Sequence, residues 1–381
     1  MLKSIGRDNL LVMLSLLVWA LGEGLWYNLR QLYLVQLGAG PVDVGTALAM
    51  ENIGRAAVLL PAGYAIDRWG ARQMMLASWL LGIVGVGAIA LAGSWFGAAL
   101  GMMAYGASAF ALPAVSAYAL LATHESGAGG TQRLLTLVFA AYPMGLIVSP
   151  TLGGQLAQAA GIHTCLLVAF GLYVVSTGVV AATRHFDPHH ADGGYRPDHL
   201  LRNRGFLWRA GYFAAAIFAL FIGTALAPNF LADVRQMGVE SIGLMFSAMS
   251  LGTTLISLGA GRLPPRWGYP AVLIAVWLAV IGVWQVTAFG GIALAFLALG
   301  GVFSARSLAL AGLERVVAPQ DRGMAFSAVE MLSALATAAA AQSAGALYKL
   351  SPGHELPLVV GAALLPAVAI GWFAARAWRG A

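Results

Sequence analysis

Residues 44–72 read VGTALAMENIGRAAVLLPAGYAIDRWGAR, and this stretch decides the fold. It is a mostly apolar run in which three glycines stand nine residues apart, and it contains the sequence Arg-Trp-Gly near its end. The same pattern returns without a gap when residue 44 is aligned with residue 242, a shift of 198 residues. The matching pairs are Gly45 and Gly243, Gly54 and Gly252, Gly63 and Gly261, Arg68 and Arg266, Trp69 and Trp267, and Gly70 and Gly268. Such a repeat predicts two similar halves that run parallel to each other.

The composition excludes a soluble protein. Hydrophobic residues make up 60% of the chain and charged residues only 9%, whereas about a quarter of the residues of a soluble domain are charged. A helix needs about 20 apolar residues to cross the hydrocarbon core of a bilayer. We predict twelve spans, numbered in chain order, at 9–34, 44–66, 73–92, 96–122, 134–159, 162–182, 206–231, 241–263, 269–289, 292–313, 323–347 and 356–378.

The basic residues predict how these spans are oriented, because Lys and Arg concentrate in cytoplasmic segments. With the N-terminus in the cytoplasm, 16 of the 21 Lys and Arg residues fall on cytoplasmic segments. They are Lys3, Arg7, Arg68, Arg72, Arg133, Arg184, Arg196, Arg202, Arg204, Arg209, Arg262, Arg266, Arg315, Arg322, Arg376 and Arg379. We therefore expect a multi-pass protein of the inner (cytoplasmic) membrane, in contact with lipid and with both termini in the cytoplasm.

A polar stretch divides the chain into two sets of six spans. The fold class predicted is all-α and integral to the membrane, with a six-helix bundle at 1–182, a cytoplasmic linker at 183–205 and a second six-helix bundle at 206–381. The linker contains His185, His189, His190 and His199, but their spacing matches no compact metal site. We expect a linker there and no bound metal.

Other classes of protein fit the sequence poorly. The net charge of +6 is dispersed between apolar runs, which argues against a nucleic-acid partner. Cys165 is the single cysteine, so the chain forms no internal disulfide. The sequence contains no His-Glu-x-x-His zinc motif, no Gly-x-Ser-x-Gly elbow and no phosphate-binding loop. We therefore predict that the protein is not an enzyme, has no catalytic residues and needs no cofactor.

The loop between spans two and three carries the most specific motif, Gly63-Tyr-Ala-Ile-Asp67-Arg68-Trp-Gly70-Ala-Arg72. It resembles the loop signature of the major facilitator superfamily, which has Gly, three residues, Asp-Arg, any residue, Gly and then a basic residue. The two sets of six spans and the long central stretch extend the resemblance over the whole chain. The resemblance implies a twelve-span secondary transporter of bacterial type, similar to exporters of drugs and metabolites.

The resemblance also implies a conformational latch at this loop, in which Asp67 docks near the start of span eleven and holds the outward-open state. A helix N-terminus attracts a carboxylate. We expect Gly63 to end a helix where backbones come close, and Gly70 to allow a turn with positive φ. The alternative is that Arg68 and Arg72 only set the orientation in the membrane.

Span five carries a second, weaker match. Gly145 and the run Ser149-Pro150-Thr-Leu-Gly153-Gly154 resemble the antiporter-associated signature of the superfamily, with Ser149 where Gly is usual. This match favours export. Because proline and glycine weaken a helix, we expect Gly145, Pro150, Gly153 and Gly154 to form a hinge, with a static bend as the alternative.

Charged residues inside spans one and two predict a functional cluster, because ionisable groups in membrane segments are costly and usually functional. Glu23 and Glu51 lie at a similar depth, and Glu51 and Arg55 are four residues apart on one helix face, so we expect these two to pair. Burial disfavours a charged carboxylate, so Glu23 is the candidate for the proton site. Arg30, seven residues after Glu23, is the alternative partner of Glu23.

A second pair is predicted between Arg306 in span ten and Glu330 in span eleven, which lie at matching depth. Asn28, Tyr142 and Asn229 are polar groups within spans and are further candidates for the lining of the cavity. For both charged pairs, the alternative is that they only neutralise each other and hold the bundle together.

These features predict a monomeric secondary transporter that moves a small organic molecule by alternating access. Efflux coupled to protons is the leading expectation. Proton-coupled or facilitative uptake of a small metabolite is the alternative within this class. A transporter-like membrane sensor that moves no solute is the alternative of a different class.

Overall fold

A computed structural model describes residues 6–125, 131–186, 202–260, 265–311, 317 and 322–377. All of its regular structure is helical. Spans one to six comprise Arg7–Trp26 with Arg30–Gln36, Pro41–Trp69, Ala71–Leu91, Trp95–Ala107 with Ala111–Glu125, Thr131–Ala160, and Ile162–Ala181. Spans seven to twelve comprise Arg204–Ile222 with Ala227–Asp233, Val239–Ala260, Pro265–Gln285, Phe289–Leu299 with Gly301–Ala311, Arg322–Leu350, and Leu356–Ala377.

The predicted all-α membrane fold of twelve spans is confirmed. In the described part of the chain, ten helices are long and apolar enough to cross a membrane. Span two is not among them because its 29 residues include Asp43, Glu51, Arg55 and two further charges at the loop motif. Span twelve also falls outside this set, with a shorter apolar stretch at Leu356–Gly371.

Four spans are interrupted, and they are the first and fourth of each set of six. Span one contains the 3₁₀ turn Tyr27–Leu29, and span four contains the 3₁₀ turn Ser108–Phe110. Span seven breaks between Ile222 and Ala227, and span ten breaks at Gly300. Pro228 lies in the first turn of the helix after the break in span seven, where its missing N–H costs no hydrogen bond.

The contacts of the glycines bear out the internal repeat. A Cβ added to Gly54 in span two would lie 2.2 Å from the carbonyl oxygen of Met103 in span four, and one added to Gly252 in span eight would lie 1.8 Å from that of Leu297 in span ten. Both glycines therefore let their span touch the backbone of the neighbour two spans further on. Equivalent positions in the two halves make equivalent contacts.

The two halves also meet through glycines. A Cβ on Gly45 in span two would lie 2.6 Å from the carbonyl oxygen of Ala341 in span eleven, and one on Gly243 in span eight would lie 2.3 Å from that of Pro150 in span five. Gly45 and Gly243 are paired by the repeat. Both contacts lie toward the end of the bundle opposite the chain termini, where they bring the halves together.

The structure does not bear out the helix end expected at Gly63. The helix of span two continues through Gly63 to Trp69, and a Cβ on Gly63 would meet nothing within 4 Å. The predicted helix end and close backbone approach at Gly63 are therefore wrong.

Residues 187–201 of the predicted linker at 183–205, with His189, His190 and His199, lie outside the described residues. The division of the chain at 182 and 206 stays a prediction.

Candidate functional site

Glu51 in span two is buried and has both carboxylate oxygens occupied. The Tyr27 hydroxyl donates to Oε1 at 2.6 Å, and Arg30 Nε donates to Oε2 at 3.0 Å. Arg30 also lies over the Tyr27 ring, with 3.7 Å between its guanidinium carbon and the ring centroid. The ion pair expected between Glu51 and Arg55 is therefore wrong, because Arg30 and Tyr27 of span one satisfy this carboxylate.

The 3₁₀ turn Tyr27–Leu29 explains why Arg30 faces Glu51 and not Glu23. In a continuous α-helix, residues 23 and 30 would lie two turns apart on one face. Because a 3₁₀ helix has about three residues per turn instead of 3.6, three such residues rotate the next segment of the span by about 60°. Arg30 is thereby turned from the face of Glu23 toward span two.

Glu23 is the carboxylate of this region that has no cationic partner. The Tyr142 hydroxyl of span five donates to Glu23 Oε2 at 2.7 Å. No basic group of the described residues lies within ion-pair distance of Glu23. The alternative pairing with Arg30 is therefore wrong, and the half-buried Glu23 has only neutral tyrosine hydroxyls as hydrogen-bond donors among the described residues.

An aromatic wall, defined as Trp19, Trp26, Tyr105 and Tyr173, adjoins Glu23. Trp19 stacks on Tyr173 with 3.9 Å between the ring centroids, and Trp26 Nε1 donates to the Tyr173 hydroxyl at 3.2 Å. The hydroxyls of Tyr105 and Tyr173 are also 3.2 Å apart. Sequence reasoning did not identify Tyr105 and Tyr173, because polar aromatics in an apolar span are also common in membrane interiors.

Arg55 is the cation of this region without a bonded partner. Its guanidinium makes no hydrogen bond or ion pair with any described residue, and its Nε is buried. Glu51 lies four residues before Arg55 on the same helix, but its carboxylate is held by Arg30 and Tyr27.

Arg306 and Glu330 form an ion pair between spans ten and eleven, which confirms the contact predicted from their depth. Their side chains are 26% and 27% exposed, so the pair is neither fully buried nor free in solvent. One guanidinium nitrogen of Arg306, Nη2, makes the contact, while its Nε is buried without an acceptor among the described residues.

The two predicted asparagines lie at the interruptions of spans one and seven. Asn28 is half-buried in the 3₁₀ turn beside Tyr27. Asn229 is buried in the short helix Ala227–Asp233, and its Oδ1 has no donor among the described residues. Both remain candidates for the lining of the cavity.

The loop motif is described in part. Gly70 has φ of 87°, which confirms the expected left-handed turn between spans two and three. Arg68 is exposed and donates to the Tyr64 hydroxyl of its own helix at 2.9 Å. Arg72 donates to the carbonyl oxygens of Ala181 at 2.7 Å and Thr183 at 2.9 Å, which ties span three to the end of span six. The side chain of Asp67, and that of Arg322 at the start of span eleven, lie outside the described residues, so the latch stays a prediction.

Span five is a continuous helix in which small residues pack against two neighbours. A Cβ on Gly145 or Gly153 would lie 2.7 Å from Ala20 Cβ or 2.3 Å from the Leu25 carbonyl oxygen of span one, respectively. A Cβ on Gly154 would lie 2.7 Å from the carbonyl oxygen of Val239 in span eight. Span five therefore packs closely against both span one and span eight of the other half. Pro150 lies within this helix, and its carbonyl oxygen contacts Gly243 of span eight. The hinge stays a prediction.

Comparisons with known proteins give one family. The model of the Major Facilitator Superfamily matches residues 9–341. A mutant of the nucleoside transporter NupG has a similar structure, with a TM-score of 0.78 and 15% identity over 97% of this chain and 99% of the other. A bacterial homologue of the human lysosomal transporter Spinster, in an inward-facing and occupied conformation, gives a TM-score of 0.73 and 13% identity over 97% and 96% of the two chains. The human organic anion transporter MFSD10 (TETRAN) gives a TM-score of 0.65 and 16% identity over 96% of this chain and 98% of the other. A search of curated sequences gives no match.

Proposed function

Because the chain belongs to the major facilitator superfamily, a family of membrane transporters and not of enzymes, we propose that this secondary transporter of a small solute is coupled to protons through Glu23. The observation that carries the proposal is the environment of Glu23. This carboxylate lies inside a membrane span, has no cation bonded to it among the described residues, and accepts a hydrogen bond from the Tyr142 hydroxyl. Such a group can exist as the neutral acid at modest cost, which is what a proton carrier requires.

The neighbouring charges support the same assignment. Glu51 is neutralised by Arg30 and also accepts from Tyr27, so a proton on Glu51 would have to displace an ion pair. Glu330 is likewise paired with Arg306. Among these three carboxylates, Glu23 is therefore the one that can change its charge without breaking an ion pair.

Efflux of a small organic molecule is the first candidate for the direction of transport. It is supported by the antiporter-like sequence of span five and by the way that Gly153 and Gly154 let this span touch both span one and span eight. An exporter of this kind exchanges the solute for protons, so proton and solute bind in turn.

Uptake together with protons is the second candidate, and a specific observation favours it. Arg55 lies in span two, one turn from Glu51, and has no bonded partner among the described residues. When Glu23 takes up a proton, its negative charge no longer balances the positive charge of Arg55. A negatively charged solute would then bind together with the proton.

Flux measurements test the coupling. A thermal-shift screen of the purified protein against classes of metabolites and drugs first provides a transported ligand. In proteoliposomes with an imposed pH gradient, we expect wild-type flux to follow the gradient and Glu23→Gln flux to fall to the level of empty liposomes. Exchange of labelled for unlabelled ligand should persist in this variant, because exchange needs no net proton movement.

The control for this experiment is Glu355→Gln, which removes an exposed carboxylate outside the cluster. It should behave as the wild type. A Glu23→Gln variant whose flux still follows the pH gradient would show that the proton is carried elsewhere. A ligand that binds but is never moved by the wild type would instead favour a membrane sensor.

We also propose that the loop motif acts as the latch of alternating access, with Asp67 docking near the start of span eleven in the outward-open state. The positive φ of Gly70 and the bonds of Arg72 to the end of span six support it, because they hold the motif in a fixed place. Distances between spin labels on spans two and eleven at the end near the termini should lengthen in Asp67→Asn. Unchanged distances and unchanged flux would refute the latch.

The remaining features of the proposal concern the setting of the protein. We propose that it acts as a monomer in the inner membrane with both termini in the cytoplasm, as the distribution of Lys and Arg indicates. The chain termini then lie on the cytoplasmic side, and the contacts of Gly45 and Gly243 close the opposite, outer side.

A further inference from the structure

Glu23 lies between two glycines, in the sequence Gly22-Glu23-Gly24 of span one. A Cβ added to Gly22 would lie 2.9 Å from the ring of Tyr173 in span six, and one added to Gly24 would lie 1.8 Å from Ser149 Oγ in span five. Both distances are too short for a carbon atom, so only glycine allows these two approaches. Glu23 is therefore placed where span one packs closely against both span five and span six.

Gly24 and Ser149 are complementary in shape. Ser149 is 0% exposed, and its Oγ lies 3.1 Å from the carbonyl oxygen of Ala20 in span one and 2.9 Å from that of Gly145 in its own helix. The hydroxyl hydrogen therefore has an acceptor on each span. A Cβ on Gly24 would also lie 2.7 Å from Ser149 Cβ, so rotation of the hydroxyl alone would make no room for it. Serine at position 149 thus requires glycine at position 24.

This pair accounts for the departure of span five from the sequence that it resembles. Ser149 stands where the antiporter-associated signature usually has glycine. A larger residue on one helix needs a smaller residue on the facing helix if the two axes are to keep the same separation. Gly24 supplies the smaller residue, so the serine is accommodated by span one.

The separation of spans one and five decides whether Tyr142 reaches Glu23. Tyr142, Gly145 and Ser149 are spaced by three and four residues, which places them on one face of span five. Ser149 and Gly145 of this face pack against Ala20, and the Tyr142 hydroxyl donates to Glu23 Oε2 at 2.7 Å. Such a bond weakens beyond about 3.2 Å, so a displacement of about 1 Å between the spans would break it.

We propose that Gly24 and Ser149 are positioning residues for the proton site, because their fit sets the separation of spans one and five at which the Tyr142 hydroxyl reaches Glu23. They act through Tyr142 and bind no proton themselves. The Tyr142 hydroxyl can donate to the ionised carboxylate and equally to the carbonyl oxygen of the neutral acid, so it holds Glu23 in one place in both states. The proposal rests on the proposed function, since it assigns a role at the proton site named there.

The fit itself is tested by compensation in the purified full chain in lipid. Gly24→Ala should lower the melting temperature, and the double variant Gly24→Ala with Ser149→Gly should restore it, because the second change removes the two nearest atoms. Gly171→Ala in span six is the matched control, since its Cβ would meet nothing within 4 Å. If Gly24→Ala does not fold, the double variant carries the test alone, and a double variant that also fails to fold would contradict the proposed fit.

A second measurement separates positioning of the carboxyl from packing alone. In infrared spectra at low pH, a hydrogen bond to the carbonyl oxygen lowers the stretching frequency of protonated Glu23. We expect this frequency to rise in Tyr142→Phe and in Gly24→Ala, and to return to the wild-type value in the double variant. Flux driven by a pH gradient should fall about tenfold in the same two variants, the effect of losing a hydrogen bond to a charged group, and recover in the double variant.

The inference fails if Gly24→Ala keeps the wild-type frequency and flux, or if the double variant recovers the melting temperature without recovering them. Wild-type flux in Tyr142→Phe would also overturn it, because the bond being positioned would then serve no transport step. Failure of the proposed function is seen separately, in Glu23→Gln. Flux that still follows the pH gradient in that variant would place the proton elsewhere, whatever the Gly24 variants show.

Discussion

In the second half of the chain Arg306 and Glu330 pair with each other, whereas the first half pairs Glu51 with Arg30 and leaves Glu23 and Arg55 without bonded partners of opposite charge among the described residues. The halves nevertheless share their packing. Gly54 and Gly252 make the same kind of backbone contact, although Met249 and Thr253 stand where Glu51 and Arg55 would be repeated.

This difference separates two roles of the repeat. Glycine positions are duplicated because both halves need the same close helix contacts, and a Cβ at either place would collide with a carbonyl oxygen. The charges are not duplicated, which agrees with the proposal that proton coupling takes place in the first half. The second half supplies a neutralised pair, Arg306 with Glu330.

The largest loss of stability is expected from a substitution at Glu51. Glu51→Gln leaves Arg30 buried without its carboxylate, and removal of one partner of a buried ion pair costs about 3–5 kcal/mol. We expect a marked fall in melting temperature in lipid or detergent. Glu23→Gln, which breaks no ion pair, should remain close to the wild type. Equal losses in the two variants would contradict the assignment of partners.

A smaller effect is expected at the glycines that join the halves. Gly45→Ala places a methyl group 2.6 Å from the Ala341 carbonyl oxygen, and Gly243→Ala places one 2.3 Å from that of Pro150. Overpacking of this kind costs about 1–3 kcal/mol. Because both contacts close the end opposite the termini, both variants should increase the labelling of cysteines introduced there. Gly63→Ala is the control, since its Cβ would meet nothing within 4 Å.

The smallest effect is expected at the pair in the second half. Arg306 and Glu330 are about a quarter exposed, so their pairing contributes about 1 kcal/mol or less. Glu330→Gln should therefore lower the melting temperature less than Glu51→Gln. The exchange of both charges, Arg306→Glu with Glu330→Arg, should restore the melting temperature lowered in the single variants. No recovery would argue against a direct contact.

The fold could be predicted from the sequence because the composition and the internal repeat are signals summed over many residues. Hydrophobic length, the positions of Lys and Arg and the glycine register at 45, 54, 243 and 252 all point to the same arrangement. It also found the pair Arg306–Glu330, because two charges at equal depth in successive spans have few other partners.

The pairing in the first half could not be obtained in the same way. The i, i+4 rule favoured Arg55 for Glu51, but this rule compares residues of one helix and ignores what the next helix offers. The 3₁₀ turn at Tyr27–Leu29 redirects Arg30, and no residue in that turn is a glycine or proline that would indicate it. Tyr142 was identified as polar, but its bond to Glu23 depends on the packing of span five against span one.

The most direct measurement of proton binding at Glu23 is an infrared pH titration of the purified protein in lipid, following the carbonyl stretch of protonated carboxyl groups. We predict that lowering the pH produces a band that is absent in Glu23→Gln and present in Glu330→Gln. A band that persists unchanged in Glu23→Gln, or one that disappears in Glu330→Gln, would contradict the assignment of the proton site to Glu23.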